Sequence, residues 1–461
     1  MRMTDQFGYD VTLSNAAALE PWNKTIIAFL AHGAHTPVHL TATLNAAPDF
    51  AMAQASRGLF NLLLGRKELV SVAQDALSIA EKSSLETPVT AREAAYIKGL
   101  RLWCEGWPSR AADLMDAALK EWPEDALLLK LVHALRFVLG QGVEMRRSIE
   151  AVFDAYSEQH VALGYIKGCY AFSLEETGDY KLAETHGRQA VELRPDDAWG
   201  LHAVAHVYDM CGESDTGIRW LDTQPQSWSH CNNFGFHVWW HLALMHLDKG
   251  NVDRVLELYD DKIRKERSDD YRDISNAASM LMRLELEGIN VGGRWEELAN
   301  LSSNRIDDGC NVFADLHYMM SLLQGNRWRE AESMVARMRE TASALSGDIS
   351  LITNNSGVAA AEGLSEFRKG NYFSALKHLQ QARPNLNEIG GSHAQRDVFE
   401  RLTIEAALRA GMPEDAQRMI TERTTLRSAP DAFAKVRAQQ VEKMTAAATV
   451  MQNEALRANL G

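Results

Sequence analysis

The chain has 461 residues, 46% of them hydrophobic and 24% charged, and its formal net charge is −14. This balance is typical of a folded globular protein, and the acidic charge predicts no nucleic-acid partner because the phosphate backbone would be repelled. No stretch approaches the roughly eighteen uninterrupted apolar residues of a membrane-spanning helix, so no membrane partner is expected. The first residues lack a secretory signal and the five cysteines are scattered, which predicts a cytoplasmic location.

Residues 1–45 are predicted to form an irregular N-terminal capping segment, and residues 46–425 contain a repeated pattern of one glycine, two alanines and one proline. The pattern stands at Gly178, Ala183, Ala190 and Pro195. It recurs without a shift at Gly106, Ala111, Ala118 and Pro123. Glycine ends one helix, the small alanines let the next helix pack closely, and proline ends that helix. The pattern therefore predicts stacked helix hairpins.

The pattern resembles the tetratricopeptide repeat, a helix hairpin of about 34 residues. Ten candidate glycine anchors follow one another along the chain: Gly65, Gly106, Gly140, Gly178, Gly212, Gly250, Gly288, Gly325, Gly370 and Gly411. Between them the apolar residues follow helical rather than alternating spacing. We predict an all-α fold, a tetratricopeptide-like solenoid of about ten hairpins that forms one elongated right-handed superhelix and a single domain over residues 1–461. Residues 426–461 are predicted to form a helix that caps the solenoid or pairs two copies as a homodimer.

Histidines are concentrated in the middle repeats. In tetratricopeptide hairpins the ligand-facing residues lie about thirteen, ten, six and three positions before the turn glycine. Counting back from Gly212 gives Trp199, His202, His206 and Asp209, and counting back from Gly250 gives His237, Trp240, Leu244 and Leu247. His241 follows His237 by one helical turn. The inner wall is therefore predicted to carry histidine, aspartate and tryptophan.

The candidate catalytic residues are His202, His206, Asp209, His237 and His241. A neutral histidine can accept a proton, and Asp209 lies three residues after His206, where it could orient that ring. The two i,i+4 histidine pairs could instead supply nitrogen ligands to one divalent metal, although no H-E-x-x-H motif is present. A third reading is structural, with the imidazoles hydrogen-bonding one another, the nearby asparagines or Tyr208. No nucleotide-binding or nucleophile-elbow motif is found, so no organic cofactor is predicted.

Four segments resemble the tetratricopeptide repeat protein 38 family. They are HAVAHVYDMCGESDTGIRWL, HVWWHLALMHLDKGNVDRVLELYD, NAASMLMRLELEGINVGGRWEEL and IGGSHAQRDVFERL. The resemblance spans nearly the whole chain. Because that family has no well-established general activity, it implies the solenoid fold rather than a function. In the last segment, Ser392 and Gln395 predict a capping box.

The same segment places His393, Arg396 and Asp397 at a helix N-terminus, which could bind a carboxylate or phosphate. The alternative is a structural ion pair with a neighbouring repeat. The predicted substrate-binding set is Trp240, Tyr208, Asn233, His317, His393, Arg396 and Asp397.

Two functions remain open. One is a small-molecule enzyme or binder, a hydrolase or lyase that is cofactor-independent or metal-assisted, with its site on the concave face of the middle repeats. The other is a non-catalytic adaptor that takes a partner-protein peptide in the same groove. Peptide clamps of this repeat type usually present lysine, arginine and asparagine, so the predicted histidine, aspartate and tryptophan favour the small molecule.

Overall fold

Paired helices follow one another along the chain. The computed structural model describes residues 1–460, with side chains for residues 1–451 and 454. The helices of the first half are α1 (Leu19–Leu30), α2 (Thr36–Ala46), α3 (Ala51–Leu63), α4 (Lys67–Glu86), α5 (Ala91–Cys104), α6 (Pro108–Leu119), α7 (Ala126–Val138), α8 (Gly142–Glu150), α9 (Leu163–Glu176), α10 (Tyr180–Leu193), α11 (Ala198–Met210) and α12 (Ser214–Asp222). Those of the second half are α13 (Phe234–Asp248), α14 (Val252–Leu258), α15 (Tyr271–Leu286), α16 (Arg294–Ser303), α17 (Val312–Gln324), α18 (Trp328–Ala344), α19 (Asp348–Ile352), α20 (Val358–Lys369), α21 (Tyr372–Ala382), α22 (His393–Arg409), α23 (Pro413–Leu426) and α24 (Ala432–Leu460).

Ten helix hairpins stack between α3 and α23, which confirms the all-α, tetratricopeptide-like solenoid. Each predicted glycine anchor lies in the turn between the two helices of one hairpin. Nine of them have positive φ, a backbone conformation that glycine adopts without a steric penalty. At the tenth, Gly325 has φ −79° and the next residue, Asn326, takes the left-handed conformation at φ 58°. The motif alanines Ala111 and Ala183 are fully buried between helices, as predicted.

The N-terminal segment is not irregular, so that part of the prediction is wrong. Strands β1 (Arg2–Thr4) and β2 (Asp10–Thr12) form an antiparallel hairpin, and α1 and α2 follow. Helix α1 buries Trp22, Ile26 and Leu30, which are spaced one turn apart and supply a continuous apolar stripe. None of the ten predicted anchor glycines lies in this helix pair, whose turn contains Gly33, and the repeat count therefore missed it.

The solenoid curls back on itself instead of forming the elongated superhelix that we expected. The segment after α1 reaches the loop before α13, where Asn232 N–H donates to His32 C=O at 2.8 Å and Ala34 N–H donates to His230 C=O at 3.0 Å. Elsewhere Arg305 from the turn after α16 pairs with Glu68 of α4 at 2.8 Å. We call residues 31–34 with residues 230–232 the closing strap. Because the strap joins distant repeats, the concave face becomes the wall of an internal cavity that remains partly open to solvent.

The C-terminal helix α24 packs on α23 and begins after a network of buried ion pairs. Arg423 donates to both Asp397 and Asp431, and all three side chains are nearly inaccessible to solvent. No helix in the described part of the chain is both long and apolar enough to cross a membrane.

Candidate functional site

Four histidines from two neighbouring helices meet at one point. His202 and His206 lie one turn apart on α11, and His237 and His241 lie one turn apart on α13, so each pair projects from one helix face. The Nε2 atom of His202 is 2.9 Å from that of His206, 3.1 Å from that of His237 and 3.1 Å from that of His241. The Nε2 atoms of His237 and His241 are 3.2 Å apart. We call these four residues the histidine cluster.

The cluster is buried, and burial favours the neutral form of most of its rings. Desolvation lowers the pKa of His202 and His241 well below the usual value and lowers the pKa of His237 to about 3. At His206 burial also opposes the charged form, but the carboxylate of Glu175 outweighs it and the pKa is raised. Three of the four imidazoles are therefore neutral and carry a nitrogen lone pair at physiological pH.

Two neighbours fix the orientation of cluster rings. His237 Nδ1 lies 2.9 Å from Asn276 Oδ1, and because an amide oxygen only accepts, Nδ1 carries the proton and Nε2 carries the lone pair. Glu175 Oε2 lies 3.4 Å from His206 Nδ1, and both side chains are fully buried. Neither oxygen of Glu175 has a hydrogen-bond partner among the described residues. A buried carboxylate without such partners is costly, so Glu175 depends on positive charge at the cluster.

Two members of the cluster, His202 and His237, reach the wall of the internal cavity. The cavity has a volume of about 360 Å³. Its apolar wall includes the aromatic residues Phe29, Phe60, Phe137, Trp199, Phe234, Tyr271 and Phe313. Its polar wall includes the amides Asn61, Asn232, Asn233, Asn276, Asn311 and Gln395. A volume in this range suits a small organic molecule.

The charge of the cavity wall is opposite to that of the whole protein. Lys130 and Arg272 line it, and none of its lining residues is an aspartate or glutamate. Lys130 is 4% exposed, lies over the Trp199 ring at 4.7 Å and contacts Cys169 Sγ at 3.6 Å. Among the described residues no carboxylate oxygen lies within ion-pair distance of its Nζ. The buried carboxyl group of Asp197 attracts the ammonium through space without direct contact. A buried ammonium without a direct ion-pair partner is costly, and an anionic group in the cavity would offset that cost.

The structure separates Asp209, Trp240 and Tyr208 from the cavity. Asp209 does not orient His206 as predicted, because its carboxylate accepts from Arg427 Nη2 at 3.0 Å. Trp240 is fully buried and stacks beneath the His237 ring at 5.2 Å, so the prediction that it forms the ligand-facing wall is wrong. The Tyr208 hydroxyl points away to Glu184 on α10. Glu175, rather than Asp209, is the carboxylate beside His206, and Trp199, rather than Trp240, lies in the cavity wall.

The remaining predicted binding residues divide into one at the cavity and four elsewhere. Asn233 lines the cavity and donates from Nδ2 to Asp273 at 3.2 Å. His317 is buried beside Phe313, whose carbonyl accepts from Nδ1 at 2.8 Å, and burial lowers its pKa to about 4. It does not line the cavity.

The predicted capping box of Ser392 and Gln395 is confirmed. The anion expected at this helix N-terminus is provided by the protein: Glu176 of α9 accepts from the backbone N–H of His393 at 2.8 Å and lies 3.4 Å from Arg396. Asp397 pairs with Arg423. These contacts are the structural ion pairs of the alternative interpretation, but their partners are not in a neighbouring repeat: Arg423 belongs to the same hairpin as Asp397, and Glu176 belongs to a distant repeat.

The counting rule that found the histidines would have found several missed residues if applied to every anchor. Three positions before Gly178 stands Glu175. Ten, six and three positions before Gly140 stand Lys130, Ala134 and Phe137, and all three line the cavity. The sequence offered no comparable signal for His32 or Arg272, since the cavity acquires them through closure of the superhelix.

No family model matches the chain. Among solved structures, yeast Tom70 is 15% identical and has a TM-score of 0.34, with 94% of this chain and 88% of that chain covered. Naa15, in a structure of Naa15/Naa10 bound to HypK-THB, is 12% identical with a TM-score of 0.25, and the match covers 93% of this chain and 67% of that one. Likenesses this weak decide nothing about the site. The ten hairpins and their turn glycines show a tetratricopeptide-like helical repeat protein.

Proposed function

We propose that the chain binds a small organic anion with an aromatic or aliphatic body in its internal cavity. The observation that carries this proposal is the composition of the wall: seven aromatic side chains and six amides accompany a buried Lys130 that forms no direct ion pair with any described residue, and the lining contains no carboxylate. Aromatic rings contribute contact area, the amides fix orientation, and the ammonium selects a negative group. We also propose, from the resemblance of the four sequence segments, that the chain belongs to the tetratricopeptide repeat protein 38 family.

A hydrolase or lyase reaction is the second candidate, and it is supported by the position of His202 and His237. Both rings are neutral and belong to the cavity wall, so either could accept a proton from a bound molecule. Asn276 would hold His237 in the tautomer whose Nε2 is free. This reading requires that at least one lone pair be available to the ligand.

The peptide adaptor is less well supported than either small-molecule reading. A peptide in a tetratricopeptide groove needs an open channel, whereas the closing strap joins residues 31–34 to residues 230–232 across the concave face. The cavity behind the strap, at about 360 Å³, has the volume of a small-molecule site rather than that of a groove for an extended peptide.

Titration with 8-anilinonaphthalene-1-sulfonate, an aromatic anion whose fluorescence rises in apolar sites, tests the binding proposal. We expect saturable binding with one site per chain in the wild type. Lys130→Met removes the ammonium while retaining the aliphatic stem, and should weaken binding about ten- to a hundredfold. The matched control is Lys167→Met, because Lys167 also lies over an aromatic ring, Phe153 at 5.5 Å, and is absent from the cavity lining.

Equal affinity in wild type, Lys130→Met and Lys167→Met would contradict the proposed anion site. A fluorescent acidic peptide, tested in parallel, separates the adaptor reading: tight peptide binding that survives Lys130→Met would favour it.

A further inference from the structure

Four of the six separations between the Nε2 atoms of the histidine cluster are close to the spacing of metal ligands. Zinc binds imidazole nitrogen at about 2.0–2.1 Å in tetrahedral geometry, which places the ligand nitrogens about 3.3 Å from one another. The Nε2 separations from His202 to the other three rings are 2.9, 3.1 and 3.1 Å, and that between His237 and His241 is 3.2 Å. The ligand atoms of all four residues lie within 4.8 Å of one another.

Hydrogen bonds between the rings cannot account for this convergence. An imidazole Nε2 carries either one proton or one lone pair, so His202 Nε2 cannot form linear hydrogen bonds with all three neighbouring nitrogens at once. His237 Nε2 has no proton to offer, because its proton is on Nδ1 facing Asn276. Without a cation, lone pairs therefore face one another at about 3 Å in a dry site, which is unfavourable. One metal ion satisfies all four lone pairs together.

Two of the four rings have the outer partner that is typical of metal-bound histidines, whereas His202 Nδ1 and His241 Nδ1 have no hydrogen-bond partner among the described residues. Metal-bound histidines usually donate the other ring N–H to a carboxylate or an amide or carbonyl oxygen, and this fixes the ring. Asn276 occupies that position for His237, and Glu175 faces His206 Nδ1. A metal ion would add positive charge beside Glu175, which is fully buried and has His206 as its charge partner at 3.4 Å. The rings of Phe172, Trp199 and Trp240 enclose the cluster.

We propose that His202, His206, His237 and His241 bind one zinc ion through Nε2 in a closed, tetrahedral site. Imidazole nitrogen in tetrahedral geometry favours Zn²⁺, and four protein ligands leave no coordination position for water, which is typical of a structural site. The ion would join α11 to α13 and hold His202 and His237 in the cavity wall. It would also occupy the lone pairs that the hydrolase or lyase reading needs, and so favours the binding reading. The site does not depend on which anion the cavity takes.

Metal content and Co²⁺ spectroscopy on the full-length chain test the proposal. The purified protein, stripped with a chelator and dialysed against Zn²⁺, should retain one zinc per chain. Co²⁺ in its place should give the intense visible bands of a tetrahedral complex. His241→Ala should lose the metal, whereas His317→Gln, which alters a buried histidine outside the cluster, should retain it.

Glu175→Gln provides a second variant in case His241→Ala does not fold. It leaves all four ligands in place and should weaken zinc binding about 10–100-fold, because the carboxylate that faces His206 Nδ1 is lost. Three results would each overturn the site. The stripped wild type could fail to bind stoichiometric zinc, or Co²⁺ could give a six-coordinate spectrum. The third is undiminished zinc affinity in Glu175→Gln together with metal retention in His241→Ala. The dye titration reads the cavity separately, so loss of either proposal leaves the other measurable.

Discussion

Replacing Asp397 by asparagine distinguishes a structural residue from a ligand residue. The sequence predicts a role in substrate binding, whereas the structure places this carboxylate against Arg423 Nε at 2.5 Å and Arg401 Nε at 2.7 Å, with Arg283 at 3.8 Å. Asp397, Arg423 and Arg283 are buried, and Arg401 is mostly buried. Asp397→Asn keeps the shape but leaves the guanidinium groups with one negative charge fewer in a largely buried region.

The expected cost follows from the burial of the pair. Removing one partner of a buried ion pair destabilises a protein by about 3–5 kcal/mol, because an uncompensated charge remains. Arg423 retains Asp431 at 2.7 Å, so we expect about 3 kcal/mol, the lower end. The double variant Arg423→Met/Asp397→Asn should lose less stability than the two single variants together, because the second substitution removes the charge that the first leaves unpaired.

Urea denaturation at pH 7, followed by circular dichroism, measures the change in the free energy of unfolding. A fall in urea midpoint with unchanged dye affinity in the cavity would support the structural role. The arginines also hold the pKa of Asp397 well below its usual range, although burial alone would raise it. A lowered native pKa contributes stability above the unfolded value that disappears as pH falls through the native pKa, so the variant and wild type should converge in acid. Unchanged stability with lost dye binding would refute this reasoning.

Two further changes test the fold and its pH dependence. Burial raises the pKa of Asp197 to about 7, so this group stabilises the folded state below the unfolded pKa, and that contribution is lost as pH rises towards 7. Asp197→Asn can still accept a hydrogen bond from Gly200 N–H, and it should be more stable than wild type at pH 7 by up to roughly 4 kcal/mol. Urea melts should show that this advantage disappears near pH 4. A constant difference across that range would contradict the assignment. Gly178→Ala should lower the free energy of unfolding by about 1–2 kcal/mol because φ is 83° there, although the new Cβ meets no atom within 4 Å. Gly325→Ala should destabilise the protein through a steric clash, because the new Cβ would lie 2.2 Å from Ala299 Cβ. Adding Ala299→Gly removes the clashing Cβ, so it should recover stability in Gly325→Ala but not in Gly178→Ala. Thermal melts that show recovery in both variants would exclude a steric cause.

Much of the repeat architecture could be predicted from the sequence, since it depends on local geometry. Glycines such as Gly178 mark hairpin turns because few other residues adopt positive φ, and alanines such as Ala183 mark close helix contacts because larger side chains would not fit. The i,i+4 spacing likewise placed His202 with His206, and His237 with His241, on common faces. These features need only the residues of one repeat or of two neighbouring repeats.

The site needed more than local geometry. Asp209 has a suitable position beside His206, yet it pairs with Arg427, 218 residues away. His393 likewise meets Glu176, 217 residues away. These contacts depend on the curvature of the superhelix, which accumulates from a small rotation at every repeat and cannot be read from any one of them.

The sequence by itself determined the hairpins, their turns and the faces that carry the histidines, because backbone conformation and helical periodicity are local. Only the tertiary structure decided that four Nε2 atoms meet, that Glu175 supplies the neighbouring carboxylate, and that the closing strap turns an open groove into a cavity with Lys130 in its wall. Those outcomes arise from the packing of distant repeats, where desolvation and charge pairing select among the partners that local spacing leaves available.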